Sequence, residues 1–326
     1  MLAAVNFHYI RKSFDNQYPS IFGITPEKFE KQLSIIKKVA QFVSQENIKK
    51  VIIGGGKLPK NALLITLDDG LKEQYQFAVP ILKKLNIPAV FFINTKAVVE
   101  KKILNVHKIH LLRSQIAPEV IMNRLVDFVK VNGYEIDFES AKAKGINHYK
   151  YDAPNVAQLK FAFNFLLTVT QQDSFIQHLF EEKFEGEETT IASELYMSHT
   201  EIKELGQLGY IASHAHDHKP IGLLTSEEQH FQVSYSKQIL ETITGREIHG
   251  LSYPYGSFAS CNGVGEVLKY NGYVYAFTME RALNVNLSQP FYLSRFDNND
   301  MPLGKSYPFE TNKFFKKFPF SSWFFN

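Results

Sequence analysis

Two clusters carry the residue types and spacing that chemistry needs. Asp68 and Asp69 stand side by side between the run Ala62–Leu67 and Gly70. Adjacent carboxylates repel unless one is protonated or a positive centre lies between them. His214 and His218 are four apart, with His216 between them. On a helical turn that spacing puts both imidazoles on one face, able to grip one cation. Asp69 as third ligand gives two nitrogens and one oxygen and leaves positions open for water, the pattern of a catalytic metal site. An extended segment would instead align His214, His216 and His218 and change the set. The helical turn is preferred because Lys219-Pro220-Ile221-Gly222 ends any strand. Taken alone, Asp68-Asp69-Gly70 also reads as a turn with solvated acids.

The elements that must position these residues follow from hydropathy patterning. Ala62–Leu67 is too short for a helix and reads as a buried strand, whose C-terminal edge is where α/β enzymes place their chemistry. Leu2 to Tyr9 reads as a first strand with His8 near its end. Thr25-Pro26-Glu27 starts a helix that carries Phe29, Leu33, Ile36 and Val39-Ala40 at helical spacing. A helix over Phe77 to Leu85, with Pro80 near its start, leads to a strand over Pro88 to Ile93, a βαβ unit that predicts parallel pairing. Gly54-Gly55-Gly56 lacks the Lys-Ser/Thr of a phosphate loop and reads as a plain turn.

Residues 100–200 are dominated by amphipathic helical patterns, such as Val120 to Val131 and Val156 to Phe180, and predict a helical insertion. Glu181 to Glu188 reads as a solvated loop. Strand character returns at Gly209 to Ser213, Ile248 to Tyr253, Tyr273 to Phe277 and Tyr292 to Phe296, with helices over Ser226 to Ile243 and Val264 to Tyr270 between them.

At 326 residues and a net charge of +3, with basic residues spread along the chain, nothing argues for a nucleic-acid partner. The single cysteine, Cys261, excludes an internal disulfide framework. The N-terminus lacks the pattern of a signal peptide and no stretch approaches ~18 apolar residues, which together predict a cytoplasmic protein. The composition is rich in aromatic residues, with 28 Phe and 16 Tyr. Phe309, Phe314, Phe315, Phe318, Phe320, Trp323, Phe324 and Phe325 gather in a tail at about 305–326. That tail predicts either packing over the base of the domain or peripheral contact with a membrane.

Thr66-Leu67-Asp68-Asp69-Gly70, His214-x-x-x-His218 and Tyr253-Pro254-Tyr255-Gly256 occur in the order seen in polysaccharide deacetylases of the NodB-homology type, and the chain resembles that family. Phe7-His8-Tyr9 and Pro80 to Ala89 resemble its flanking segments. The resemblance covers about residues 1–100 and 195–300. It implies an α/β fold, a deformed (β/α) barrel with the helical insertion at about 100–200, as one catalytic domain over residues 1–326. It implies that Asp69, His214 and His218 hold a divalent metal, zinc foremost, with cobalt, nickel or iron also suited to two imidazoles and a carboxylate. Asp68 becomes the general base for the attacking water, and the backbone N–H of Tyr255 helps hold the oxyanion.

The chain departs from the family in two places. Ser252 stands where the family often has an arginine that steadies the base, and no histidine follows His249 to supply the usual general acid. His8, His216 or water protonated through Asp68 are the alternative proton sources, while Arg295 is able to stabilise charge without donating. The implied activity is metal-dependent removal of an N-acetyl group from an amino sugar. With the cytoplasmic expectation, this points to a nucleotide- or lipid-linked sugar or oligosaccharide in surface polysaccharide or lipopolysaccharide biosynthesis. The rivals are a deformylase or other amidase at the same site, and a carbohydrate-binding module whose catalytic site has decayed.

Overall fold

The computed structural model describes residues 1–15, 23–149, 152–305 and 311–324. Its centre is an eight-stranded sheet in which every strand pairing is parallel. The strands are β1 (Leu2–Phe7), β2 (Gln41–Phe42), β3 (Ala62–Leu67), β4 (Ala89–Ile93), β5 (Ile211–Ser213), β6 (Gly250–Ser252), β7 (Tyr275–Phe277) and β8 (Phe296–Asp297). Their order is β7-β6-β5-β4-β3-β1-β8, with β2 pairing off the path to the start of β3.

Residues of β1, β3 and β4 are buried without alternation. That is the signature of parallel strands covered on both faces, and it explains why apolar runs rather than alternating patterns marked them. Leu293 bridges Phe277 of β7, while Phe296 pairs with Val5 of β1. One short segment, Leu293–Asp297, therefore touches both ends of the strand order and curls the sheet toward a barrel. Helices Pro26–Ile36 and Ser226–Thr244 flank it, each opened by a threonine cap (Thr25, Thr225) whose hydroxyl accepts from the first turn.

The segments expected as strands and helices differ from the observed ones in instructive places. The pattern from Val156 to Phe180 is not one helix. Leu167 is extended, and Thr168 with Gln171 forms a capping box that starts a new helix, Val169–Lys183. That helix ends at Lys183 and the next begins at Glu188, so the expected loop over Glu181 to Glu188 is confined to residues 184–187. Tyr292 lies in a 3₁₀ turn begun by Pro290, so the last strand is confined to Phe296–Asp297. Phe314 and Phe315 of the aromatic tail are buried in the core, and Phe318 and Phe324 pack against it. Phe309 and Phe325 lie outside the described residues.

The chain divides into two compact units, one holding the sheet and the other Ile103–Thr189. The second is helical, and Phe175, Leu179 and Phe180 of Val169–Lys183 are among its buried side chains. It also buries a cation. Lys108 is 3% exposed and its Nζ lies 2.8 Å from Glu188 Oε1. Removing one partner of such a pair leaves a desolvated charge behind. Glu188→Ala is therefore expected to cost about 2–3 kcal/mol, seen as a lower urea midpoint, with Gln177 as remaining acceptor moderating the loss.

Candidate active site

Parallel pairing sends the C-terminal ends of all strands to one edge, and the polar residues gather there. Asp68 follows β3, and its N–H donates to Phe7 O at 3.0 Å, extending the β1–β3 ladder by one step. His214 follows β5, its N–H donating to Ile93 O at 2.9 Å. Ser252 ends β6, and Arg295 sits in the segment that joins β7 to β1.

Asp69, His214 and His218 are all buried, and one ligand atom of each lies within 4.8 Å of the others. His214 Nε2 and His218 Nε2 are 3.5 Å and 3.6 Å from Asp69 Oδ1. Ligands bonded at 2.0–2.2 Å around a tetrahedral ion lie roughly 3.4 Å apart, so these three residues fit one metal. His214 Nδ1 is 2.7 Å from Ser252 O, so it carries the proton toward that carbonyl and aims the Nε2 lone pair at the centre. Burial alone would favour neutral His214, yet Asp68 and Asp69 overcome it and raise its pKa. This edge of the sheet favours positive charge.

The expected helical turn over His214–His218 is corrected. The segment is a bend in which Ala215 (φ 60°) and His218 (φ 62°) are left-handed, which no α-helix tolerates. Gln232 of the helix Ser226–Thr244 accepts from the N–H groups of His216 and Asp217 through Oε1, and Ser213 Oγ accepts from the N–H of Ala215. The bend still brings the rings of His214 and His218 to 5.0 Å. It turns His216 away, to Thr95 Oγ1 at 3.0 Å and Glu100 Oε1 at 3.2 Å, so His216 does not join the cluster. Asp69 (φ 79°) and Tyr255 (φ 62°) are left-handed too. Strained backbone concentrated around one cluster marks a functional site.

Asp68 lies beside these three residues, its Oδ2 3.9 Å from His214 Nε2, but has its own set of hydrogen-bond donors. Its Oδ1 and Oδ2 accept from Arg295 Nη1 and Nη2, both at 2.8 Å, while Asn6 Nδ2 and Ser252 Oγ donate to Oδ2 at 3.0 Å each. Arg295 is completely buried. Burial works against the Asp68 charge, but Arg295 first and then His214 outweigh it and hold the carboxyl at about 2. The arginine expected two residues before Pro254 is thus absent from the sequence position while a guanidinium reaches the carboxylate from another strand end. Ser252 donates to Asp68 and accepts from Arg295 Nη2 at 2.8 Å. Sequence reading named Arg295 only as a charge stabiliser and missed Asn6. The signal was the small Ser252, which leaves space an arginine would otherwise fill.

A carboxyl held below its ordinary value of 3.8 binds a proton later on acidification than in the unfolded chain. Its contribution to folding is present above pH ~4 and is lost as pH falls from ~4 to ~2, about 2 kcal/mol in all. Urea midpoints of chelator-treated protein at pH 5 and pH 3 should show this fall, and Asp68→Asn should flatten it.

His8 lies just beyond β1, its Nε2 3.4 Å from Asn6 Nδ2, and it is among the positive influences on Asp68. The Tyr255 ring stands edge-on to His218 at 4.9 Å. A Cβ on Gly256 (φ 57°) would lie 2.6 Å from Met279 Cγ, so the turn after Tyr255 admits glycine alone.

A model of the polysaccharide deacetylase family matches residues 55–141 and 166–276. The poly-β-1,6-N-acetyl-D-glucosamine N-deacetylase of Staphylococcus aureus is 32% identical over 139 residues, covering 38% of this chain and 46% of that protein. Its Staphylococcus epidermidis counterpart is 29% identical over 136 residues, with the same two shares. The chain spans about half the length of the curated relatives it matches. Among solved structures, IcaB from Ammonifex degensii superposes with TM-score 0.52 at 19% identity, over 90% of each chain. A de-N-acetylase from Aggregatibacter actinomycetemcomitans gives 0.53 at 15% identity, over 90% of this chain and 94% of its own. These two share the fold.

Proposed function

The chain belongs to the polysaccharide deacetylase family, and from that membership we propose that it hydrolyses the acetamide of an N-acetylated amino sugar within a polysaccharide. The observation that carries the reading is the difference in surroundings between two adjacent acids. Asp69 faces two imidazole nitrogens, while Asp68 is locked by Arg295 and remains ionised.

A divalent ion held by Asp69, His214 and His218 would supply a Lewis acid and bring the pKa of water to ~7. The remaining steps belong to the chain's own residues. Asp68 takes a proton from the water that adds to the acetamide carbon. The backbone N–H of Tyr255 donates to the developing oxyanion. The C–N bond then breaks, and His8 is the side chain we assign to protonate the departing amine, which leaves acetate and a free amino sugar. The names of the staphylococcal relatives make β-1,6-linked N-acetylglucosamine the first substrate to try, ahead of a nucleotide- or lipid-linked sugar.

Acetate released from an oligomer of that sugar, with and without chelator, is the test. Zinc, cobalt, nickel and iron are each added back in turn. No acetate from any N-acetylated sugar under any of these metals would end the reading. Formate released from an N-formyl sugar in place of acetate would move it to a deformylase.

A further inference from the structure

Exposed aromatic rings cluster beside the metal ligands, and the chemistry above uses none of these rings, only the backbone N–H of Tyr255. Tyr255, Phe258 and Trp323 are 47%, 46% and 38% exposed. Phe258 lies three residues after Tyr255, so their Cα atoms are at most ~11 Å apart. Trp323 stands edge-on to Phe258 at 6.3 Å, and Phe324 stacks on Phe258 at 4.7 Å with 5° between the planes. Beneath them Phe324 stacks on Tyr292 at 4.0 Å.

The cluster is built rather than incidental. The tail is held by a backbone ladder, with Leu283 N–H donating to Pro319 O at 2.8 Å and Ser321 N–H to Leu283 O at 3.0 Å. Buried Glu280 clamps its end, Oε1 accepting from Ser322 N at 2.6 Å, Ser322 Oγ at 3.0 Å and Trp323 N at 3.1 Å. Ser294 Oγ donates to the other oxygen of the same carboxylate at 3.0 Å. The preceding residue, Met279, donates its N–H to Gly256 O at 2.8 Å, which ties down the turn carrying Tyr255. Neighbouring residues thus fix both the turn and the tail. The result is a preorganised row of rings that starts against His218.

Rings exposed together on a fixed frame mark a binding surface. The apolar faces of pyranose rings, with their axial C–H bonds, pack on aromatic faces, and their hydroxyls stay in water. We propose that Tyr255, Phe258 and Trp323 form a subsite for the sugar units next to the one being deacetylated, so that the chain takes an oligosaccharide rather than a monosaccharide. The proposal rests on the deacetylase reading for the identity of the sugar, and on continuity with His218 for its position.

The protein carries its own reporter, because Trp323 is its only tryptophan. Titration with a hexamer of β-1,6-linked N-acetylglucosamine should shift or quench Trp323 emission, and N-acetylglucosamine monomer at equal concentration should not. In turnover, Trp323→Ala should raise KM for the hexamer about tenfold with the loss confined to KM, and Trp323→Tyr should recover most of it. Emission unmoved by the hexamer overturns the proposal. Emission moved equally by the monomer, or moved by phosphatidylglycerol vesicles instead, also overturns it. Emission is read without turnover, so the two readings fail separately. A hexamer response with no acetate released removes the deacetylase and keeps the subsite, while acetate released with silent emission does the reverse.

Discussion

Asp68→Asn is expected to lower turnover by about 10²–10⁴-fold while the protein keeps its metal, the range a positioned general base contributes. Asp69→Asn is expected to lose both. The two residues are neighbours in sequence, yet their surroundings separate them. Asp69 Oδ1 lies 3.5 Å and 3.6 Å from two imidazole nitrogens, while the Asp68 carboxylate faces a guanidinium, an amide and a hydroxyl. An amide at position 68 still accepts one bond from Arg295, but it cannot take a proton. Metal content measured on the purified variants, alongside acetate release, separates the roles. If Asp68→Asn loses metal as completely as Asp69→Asn, the assignment of Asp68 to proton transfer falls.

Arg295→Met is expected to have the largest effect on stability, about 3–5 kcal/mol, because it leaves the Asp68 carboxylate buried without its cation. The remaining hydrogen-bond donors to the carboxylate, Asn6 and Ser252, are neutral, and His214 and His8 offset its burial less than Arg295 does, so the Asp68 pKa rises and protonation begins nearer neutrality. Turnover should fall with it, and the acid limb of the kcat/KM profile should move to higher pH. Arg295→Lys keeps the charge but cannot make both bonds to Asp68 and the third to Ser252. It should be intermediate in both measurements. A double variant, Arg295→Ala with Ser252→Arg, returns a guanidinium from β6 into the volume just vacated. Partial recovery of the pH profile is the expected result. An unchanged acid limb in Arg295→Met would show that the guanidinium does not govern ionisation of Asp68.

Much of this architecture was written locally. The buried strands β1, β3 and β4 showed as apolar runs because both of their faces are covered, and the helix Pro26–Ile36 announced itself by Thr25 and Pro26. Short elements were less legible. β2 has two residues and depends wholly on pairing with β3, and the break at Leu167 is set by a capping box inside an otherwise continuous pattern. A periodic apolar stripe records which face is buried and does not record where the backbone changes direction.

The sequence by itself determined the chemistry on offer: two adjacent acids at the end of a buried strand, histidines four apart, and the motif Tyr253-Pro254-Tyr255-Gly256. Which atoms meet was decided by tertiary structure. The bend at Ala215 discards His216 and keeps His214 and His218. Parallel pairing brings the ends of β3, β5 and β6 to one edge, and the segment Leu293–Asp297 carries Arg295 from 227 positions away in the chain to the Asp68 carboxylate. No local pattern encodes that contact. A buried arginine is stable only where folding supplies its counter-charge, and the strand order that supplies it spans the whole sheet.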